Sequence, residues 1–129
     1  MKSIRVLLVD DETEFVSTLG ERLSLRGIEA DWVTSAEEAL KKIQDTQYDL
    51  AVLDVKMPGM GGIELEQRLK ALSPEMKFIF LTGHGSNIDY TEGMQEGADY
   101  LPKPLKIDAL LEILNRMTEG GQGESGRKG

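Results

Sequence analysis

The sequence predicts an α/β domain in which a parallel sheet carries helices on both faces. Three observations lead there. Short apolar runs alternate with segments of helical periodicity along the whole chain. Those runs are apolar at nearly every position, as burial on both faces of a sheet requires. The length of 129 residues, 40% of them hydrophobic, suits one domain with a real core.

The elements follow in order. Ile4 to Val9 is apolar and β-branched and forms the first strand, followed by Asp10 and Asp11. Phe15, Val16, Leu19 and Leu23 recur at helical spacing, and Gly27 supplies the C-terminal stop. Ile28 to Val33 is the second strand. Ser35-Ala36-Glu37-Glu38 is a capping box, opening a helix striped by Ala36, Ala39, Leu40 and Ile43. Tyr48 to Asp54 is the third strand, and Pro58 to Gly62 is a loop by composition. Ile63, Leu65, Leu69 and Leu72 mark a third helix that ends before Ser73-Pro74.

Lys77 to Thr82 is the fourth strand and Gly83 to Ser86 a loop. Asn87 to Glu96 is a fourth helix with Gly93 in its interior and few apolar residues, expected to be the least stable. Gly97 to Leu101 leads into a short fifth strand, closed by Pro102-Lys103-Pro104. Ile107, Leu110, Leu111, Leu114 and Met117 stripe the last helix. The domain is expected to occupy residues 1–118, with 119–129 a Gly-rich disordered tail or the start of a linker.

Composition removes several function classes. A net charge of -8 disfavours direct contact with nucleic acid or an anionic membrane. Without cysteine there are no disulfides, thiolate nucleophiles or Cys-ligated metals. A single histidine, His84, rules out a His-rich zinc site. No apolar run reaches the roughly 20 residues of a membrane span. The N-terminus lacks a signal-peptide pattern, so the expected location is cytoplasmic. Met57, Met60, Met76 and Met94 read as packing residues, and Trp32 is assigned no role.

Right-handed crossovers between parallel strands place every strand's C-terminal end on one sheet edge. Asp10-Asp11, Asp54, Thr82 and Lys103 all follow strands, so all lie on that edge, where open α/β sheets bind ligands. Taken singly, each has an ordinary explanation. Asp10-Asp11 could turn the chain and cap a helix, Lys103 could be a solvated surface lysine, and Tyr100 a half-buried aromatic. Taken together, three carboxylates at one edge repel unless a cation sits among them, and all-oxygen ligands suit Mg²⁺. With a metal bound, Asp54 can attack an electron-poor phosphorus, while a lysine and a threonine hydroxyl address the phosphoryl oxygens. Phosphoryl transfer needs little beyond such positioning and charge neutralisation.

The pieces Val9-Asp10-Asp11-Glu12, Leu53-Asp54-Val55-Lys56-Met57-Pro58-Gly59-Met60, Phe80-Leu81-Thr82-Gly83-His84, Gly97-Ala98 and Asp99-Tyr100-Leu101-Pro102-Lys103-Pro104 occur in order, each at a strand end. Through them the chain resembles the receiver domain of bacterial two-component response regulators, from about Ile4 to Met117. The resemblance implies a flavodoxin-like (βα)5 sandwich with strand order 2-1-3-4-5. It implies a signalling switch, which catalyses only its own phosphorylation and autodephosphorylation. Asp54 would accept a phosphoryl group from the phosphohistidine of a sensor histidine kinase or phosphotransfer protein. Asp10, Asp11, Asp54 and the backbone carbonyl of Lys56 would hold Mg²⁺. Thr82 and Lys103 would bind the phosphoryl group, and Thr82 with Tyr100 would form the switch. The peptide before Pro104 would be cis. Lys56 and His84 would flank the path of water and set the lifetime of the phosphorylated state. The output would lie in a downstream partner or a C-terminal domain beyond these residues. A homodimer through the region from the fourth helix to the last is one assembly it allows.

Two departures from the family pattern stand out. Gly97-Ala98-Asp99-Tyr100 is one residue shorter than usual, which bears on the switch role of Tyr100. Gly61 stands where an Asp often caps the third helix, at a cost of a few tenths of a kcal/mol. Two other functions compete. A small aspartyl-phosphate phosphatase usually has a second Asp two residues after the nucleophile, where this chain has Lys56. A nucleotide- or flavin-binding module needs a Gly-rich or Ser/Thr-rich phosphate loop after the first strand, where this chain has Asp10-Asp11-Glu12-Thr13-Glu14.

Overall fold

A computed structural model of the chain describes residues 4–83 and 99–123. His84, the predicted fourth helix from Asn87 to Glu96, and Gly97-Ala98 lie outside the described residues. Strands β1 (Arg5–Val9), β2 (Glu29–Val33), β3 (Leu50–Asp54), β4 (Lys77–Thr82) and β5 (Asp99–Pro102) form one sheet in the order β2-β1-β3-β4-β5. All four pairings are parallel. The described helices are α1 (Thr13–Leu25), α2 (Ala36–Asp45), α3 (Gly62–Leu72) and α4 (Ile107–Gly123), the last predicted helix.

Successive strand side chains point to opposite faces, so a continuous apolar run feeds two cores at once. Val6, Leu8, Leu50, Val52, Ile79 and Leu81 join Val16, Leu19 and Leu23 of α1 and Leu110, Ile113 and Leu114 of α4. Their sequence neighbours Leu7, Val9, Ala51, Leu53, Phe78 and Phe80 join Ala36 and Ala39 of α2 and Leu65 and Leu69 of α3. Each fully buried Leu, Ile or Phe contributes about 1.5–3 kcal/mol. β2 is an edge strand and is correspondingly more polar and more exposed.

Local signals set the helix ends. Gly27 adopts a positive φ of 83° after α1. Its N–H donates to Ser24 O and that of Ile28 to Leu23 O, closing the helix as a non-glycine residue would do only under strain. At α2 the Ser35 hydroxyl accepts from Glu38 N–H at 3.1 Å. The returning Glu38 carboxylate accepts from Thr34 N–H at 2.9 Å, one residue upstream of the usual capping box.

Two expectations shift. In α3 the buried positions are Gly62, Leu65, Glu66 and Leu69, whereas Leu72, the last residue of the helix, is 62% exposed. Burial pushes the Glu66 carboxyl above its ordinary range, against the pull of Lys70. The α4 backbone also stays helical to Gly123, into the stretch read as tail from Glu119. Propagating a helix already anchored by a packed stripe is cheap, even through glycine at about 1 kcal/mol each. Among the described residues no helix is long and apolar enough to cross a membrane.

Candidate functional site

The site is assembled at the C-terminal edge of β1, β3, β4 and β5. Asp10 follows β1 and is 1% exposed. Its N–H donates to Val33 O, and its Oδ1 accepts from Glu12 N–H at 2.9 Å, which turns the chain into α1. Asp11 is exposed beside it.

Asp54 is the last residue of β3 and is 5% exposed. Backbone contacts fix its place: Val55 N–H donates to Leu81 O at 2.9 Å and Gly62 N–H to Val55 O at 3.0 Å. Gly62 begins α3 directly against the Asp54 carbonyl, so closely that a Cβ would collide with it. Glycine is therefore required there by space alone. Asp54 Oδ1 accepts a long hydrogen bond from Lys56 N–H at 3.4 Å, and Lys56 itself lies exposed in the β3–α3 loop.

Carboxylate oxygens of Asp10, Asp11 and Asp54 lie within 4.8 Å of one another. Lys103 arrives from the far side of the sheet edge, its N–H donating to Thr82 O at 2.8 Å. Its Nζ stands 2.7 Å from Asp10 Oδ2, 2.8 Å from Glu12 Oε1 and 3.6 Å from Asp54 Oδ2. The same ammonium lies 4.9 Å from the centroid of the Phe15 ring. The peptide bond from Lys103 to Pro104 is cis. An open cleft of about 1060 Å³ lies over these groups, lined by Asp11, Glu12, Phe15, Asp54, Lys56 and Lys103 among others.

The charges are unevenly matched. Burial, then the neighbouring charge of Asp10, push the Asp54 carboxyl up to about 7; Lys103 and the Lys56 N–H pull against this, and Asp11 adds to the rise. For Lys103, burial would lower the ammonium. Its contacts with Asp10 and Glu12 and the charge of Asp54 outweigh burial and hold it above the ordinary lysine range. Glu12 is held below the usual carboxylate range by its bond to Lys103.

Lys103 thus lies within 4 Å of three carboxylates, Asp10, Glu12 and Asp54, while Asp11 adds a further carboxylate to the cluster. Asp10 Oδ2 is fully buried, and its contact among the described residues is the ion pair with Lys103 Nζ at 2.7 Å, which is not aligned as a hydrogen bond. A buried carboxylate oxygen left in this state, beside two more carboxylates, fits a small hard cation. The donor set contains only oxygen, which favours Mg²⁺ over softer metals.

Thr82 is buried at the end of β4, and its hydroxyl donates to Leu101 O at 3.5 Å. Tyr100 is half-buried in β5 and packs with the core on the α2–α3 face. Its ring stacks on Phe80 with centroids 5.2 Å apart and planes 18° from parallel. The fold therefore gathers Asp10, Asp11, Asp54 and Lys103 into one cluster, with Thr82 beside it and its hydroxyl turned toward β5.

Glu12 and Phe15 were given no part in the site by the sequence. Both stand in the first turns of α1 directly after the acidic pair, and their part in the site is set by a lysine 91 residues from Glu12. Only the helical spacing of three residues between them, which puts both on one face, was legible beforehand.

The family model described as the response regulator receiver domain matches residues 6–115. This chain belongs to that family. The receiver domain is 35% identical over 121 residues to the two-component response regulator PhoP of Pseudomonas aeruginosa, covering 93% of this chain and 54% of that protein. It is 36% identical to the transcriptional regulatory protein TctD of Salmonella typhimurium, covering 91% of this chain and 54% of that one. The chain thus spans about half the length of these curated relatives. Among solved structures, a CheY-like response regulator receiver domain protein from Methanospirillum hungatei JF-1 superposes with a TM-score of 0.84 at 33% identity, covering 95% of this chain and 99% of that one.

Proposed function

We propose that this receiver domain is a phosphorylation-driven switch in a two-component phosphorelay, with Asp54 as the phospho-acceptor. The observation that carries this reading is the crowding of Asp54 beside Asp10, with one lysine to balance them, at the tip of a buried strand. The donor is the phosphohistidine of a sensor histidine kinase or phosphotransfer protein. An Asp54 carboxylate oxygen forms the new P–O bond as the P–N bond breaks, and the imidazole leaves as the neutral base after taking up a proton. Asp10, Asp11, Asp54 and the Lys56 backbone carbonyl would hold Mg²⁺, which would supply charge neutralisation to the phosphoryl oxygens. Lys103 supplies a second cation to the same oxygens, and Thr82 can leave its 3.5 Å bond to Leu101 O to donate to them. Tyr100 follows Thr82 by changing its packing on Phe80, which alters the surface beside β5.

Hydrolysis by water resets the switch, with Lys56 and His84 tuning its rate. The output is a downstream partner or a further domain, as the lengths of the relatives suggest. A homodimer through the region from the predicted fourth helix to the last is consistent with such a switch. The net charge of -8 disfavours direct DNA contact by this domain.

The decisive measurement is intact mass after incubation with Mg²⁺ and acetyl phosphate. A gain of one phosphoryl group, lost in Asp54→Asn, is expected. No gain in the wild-type chain overturns the reading.

A further inference from the structure

Lys103 does not point squarely at Asp54. Its ammonium is 2.7 Å from Asp10 and 2.8 Å from Glu12, but 3.6 Å from Asp54, too far for a hydrogen bond. Glu12 is unlike the other carboxylates around this lysine. Its side chain is 63% exposed and stands outside the three-carboxylate cluster. It occupies the N-cap position of α1 yet makes no capping bond with its side chain. Its carboxylate goes instead to Lys103. One helical turn on, Phe15 offers its ring to the same ammonium at 4.9 Å. The first turn of α1 therefore holds the lysine from two sides, neither of which is the metal-type cluster.

Resting on the reading of Asp54 as phospho-acceptor, we infer that Glu12 is a positioning residue that retains Lys103 away from Asp54 until a phosphoryl group draws it off. An exposed ion pair is weak in water, so Glu12 does little for stability. Its effect falls on the position of the ammonium. The phosphoryl group on Asp54 brings more negative charge than the carboxylate it replaces, enough to compete for Lys103. Every such event must first break the bond to Glu12. Glu12 thus sets a threshold on occupancy of the site.

The test uses beryllium fluoride with Mg²⁺, a tetrahedral phosphoryl mimic, on the whole chain. Glu12→Gln is expected to bind it about three- to fivefold more tightly, the ceiling set by an exposed ion pair. Glu12→Asp keeps the charge but is one methylene too short to reach, so it is expected to match Glu12→Gln. A second readout is the nitrogen resonance of the Lys103 ammonium without Mg²⁺, which is expected to shift in both variants.

If Glu12→Asp behaves as wild type while Glu12→Gln gains affinity, the charge acts at a distance and the positioning role is wrong. Unchanged ammonium resonances or unchanged affinities in both variants also overturn it. If the wild-type chain gains no phosphoryl mass from acetyl phosphate, the proposed function fails first and this inference fails with it. If it gains that mass and the Glu12 variants match it throughout, only the inference fails.

Discussion

Gly62 sits against the backbone carbonyl of Asp54, leaving no room for a Cβ between α3 and the tip of β3. This contact couples the start of a helix to the position of the site carboxylate. Adding one methyl group must push the strand tip or the helix aside. Gly62→Ala is expected to destabilise the domain by about 1–3 kcal/mol. Because the displaced atom belongs to Asp54, Mg²⁺ affinity is expected to fall as well. Urea unfolding and Mg²⁺ titration check both. Gly83→Ala is the control, since no described residue lies within 4 Å of a Cβ built there, and its stability is expected to change by less than about 0.5 kcal/mol.

Asp54 makes the metal-free protein pH-sensitive in a defined direction. Its carboxyl rises from an ordinary 3.8 to about 7 on folding. Below 3.8 both states are protonated and the group contributes no difference. Between 3.8 and 7 the folded state holds a proton that the unfolded state has lost, so stability falls as pH rises through this window. Above 7 the penalty is constant. Glu12, whose carboxyl is lowered, acts with the opposite sign at lower pH. The difference between wild type and Asp54→Asn isolates the Asp54 contribution. Asp54→Asn is expected to melt higher at pH 8 without Mg²⁺, and the gap is expected to close at pH 4. Adding Mg²⁺ is expected to raise the melting temperature of wild type more at pH 8 than at pH 5, where protons compete for the same oxygens. Thermal melts across pH would refute this if the two proteins ran in parallel.

Thr82 is held by a bond at the limit of hydrogen-bond length, 3.5 Å to Leu101 O. Losing it is expected to cost no more than about 1 kcal/mol. Thr82→Ala should therefore remain folded and still accept a phosphoryl group from acetyl phosphate. What it is expected to lose is the change in the Tyr100 ring resonances on phosphorylation. Retention of that change in the variant would detach Thr82 from the switch.

Far from the site, the Tyr48 hydroxyl donates to Asp31 Oδ2 at 2.6 Å, tying the start of β3 to the edge strand β2. The Tyr48 hydroxyl is held above its ordinary range by burial first and by this bond second. Tyr48→Phe removes one charge-assisted bond and leaves a half-buried carboxylate without it. The expected loss is about 1.5–3 kcal/mol in urea unfolding, with phosphorylation by acetyl phosphate unchanged.

The strands and most helices were legible because local periodicity encodes them. Leu7 and Leu8 face opposite cores, yet the unbroken apolar run already required two covered faces. The capping box at Ser35 and the stop at Gly27 are likewise written in residues a few positions apart. Leu72 and Glu66 were harder. Which side of α3 meets the sheet depends on how the helix is seated, and Gly62 seats it against Asp54. At the other end of the chain the α4 backbone continues as helix to Gly123, past Met117 at the end of the packed stripe.

By itself, the sequence determined that five parallel strands would bring Asp10, Asp11, Asp54, Thr82 and Lys103 to one edge. Chain connectivity and the handedness of crossovers suffice for that. Only the tertiary structure decided how those groups divide the available charge. Lys103 could have bonded Asp54, and instead it lies nearer Asp10 and Glu12 with Phe15 beside it. Differences of about an ångström between partners arise from strand register, sheet twist and the seating of α1. These are collective properties of the packed core, and no run of neighbouring residues specifies them.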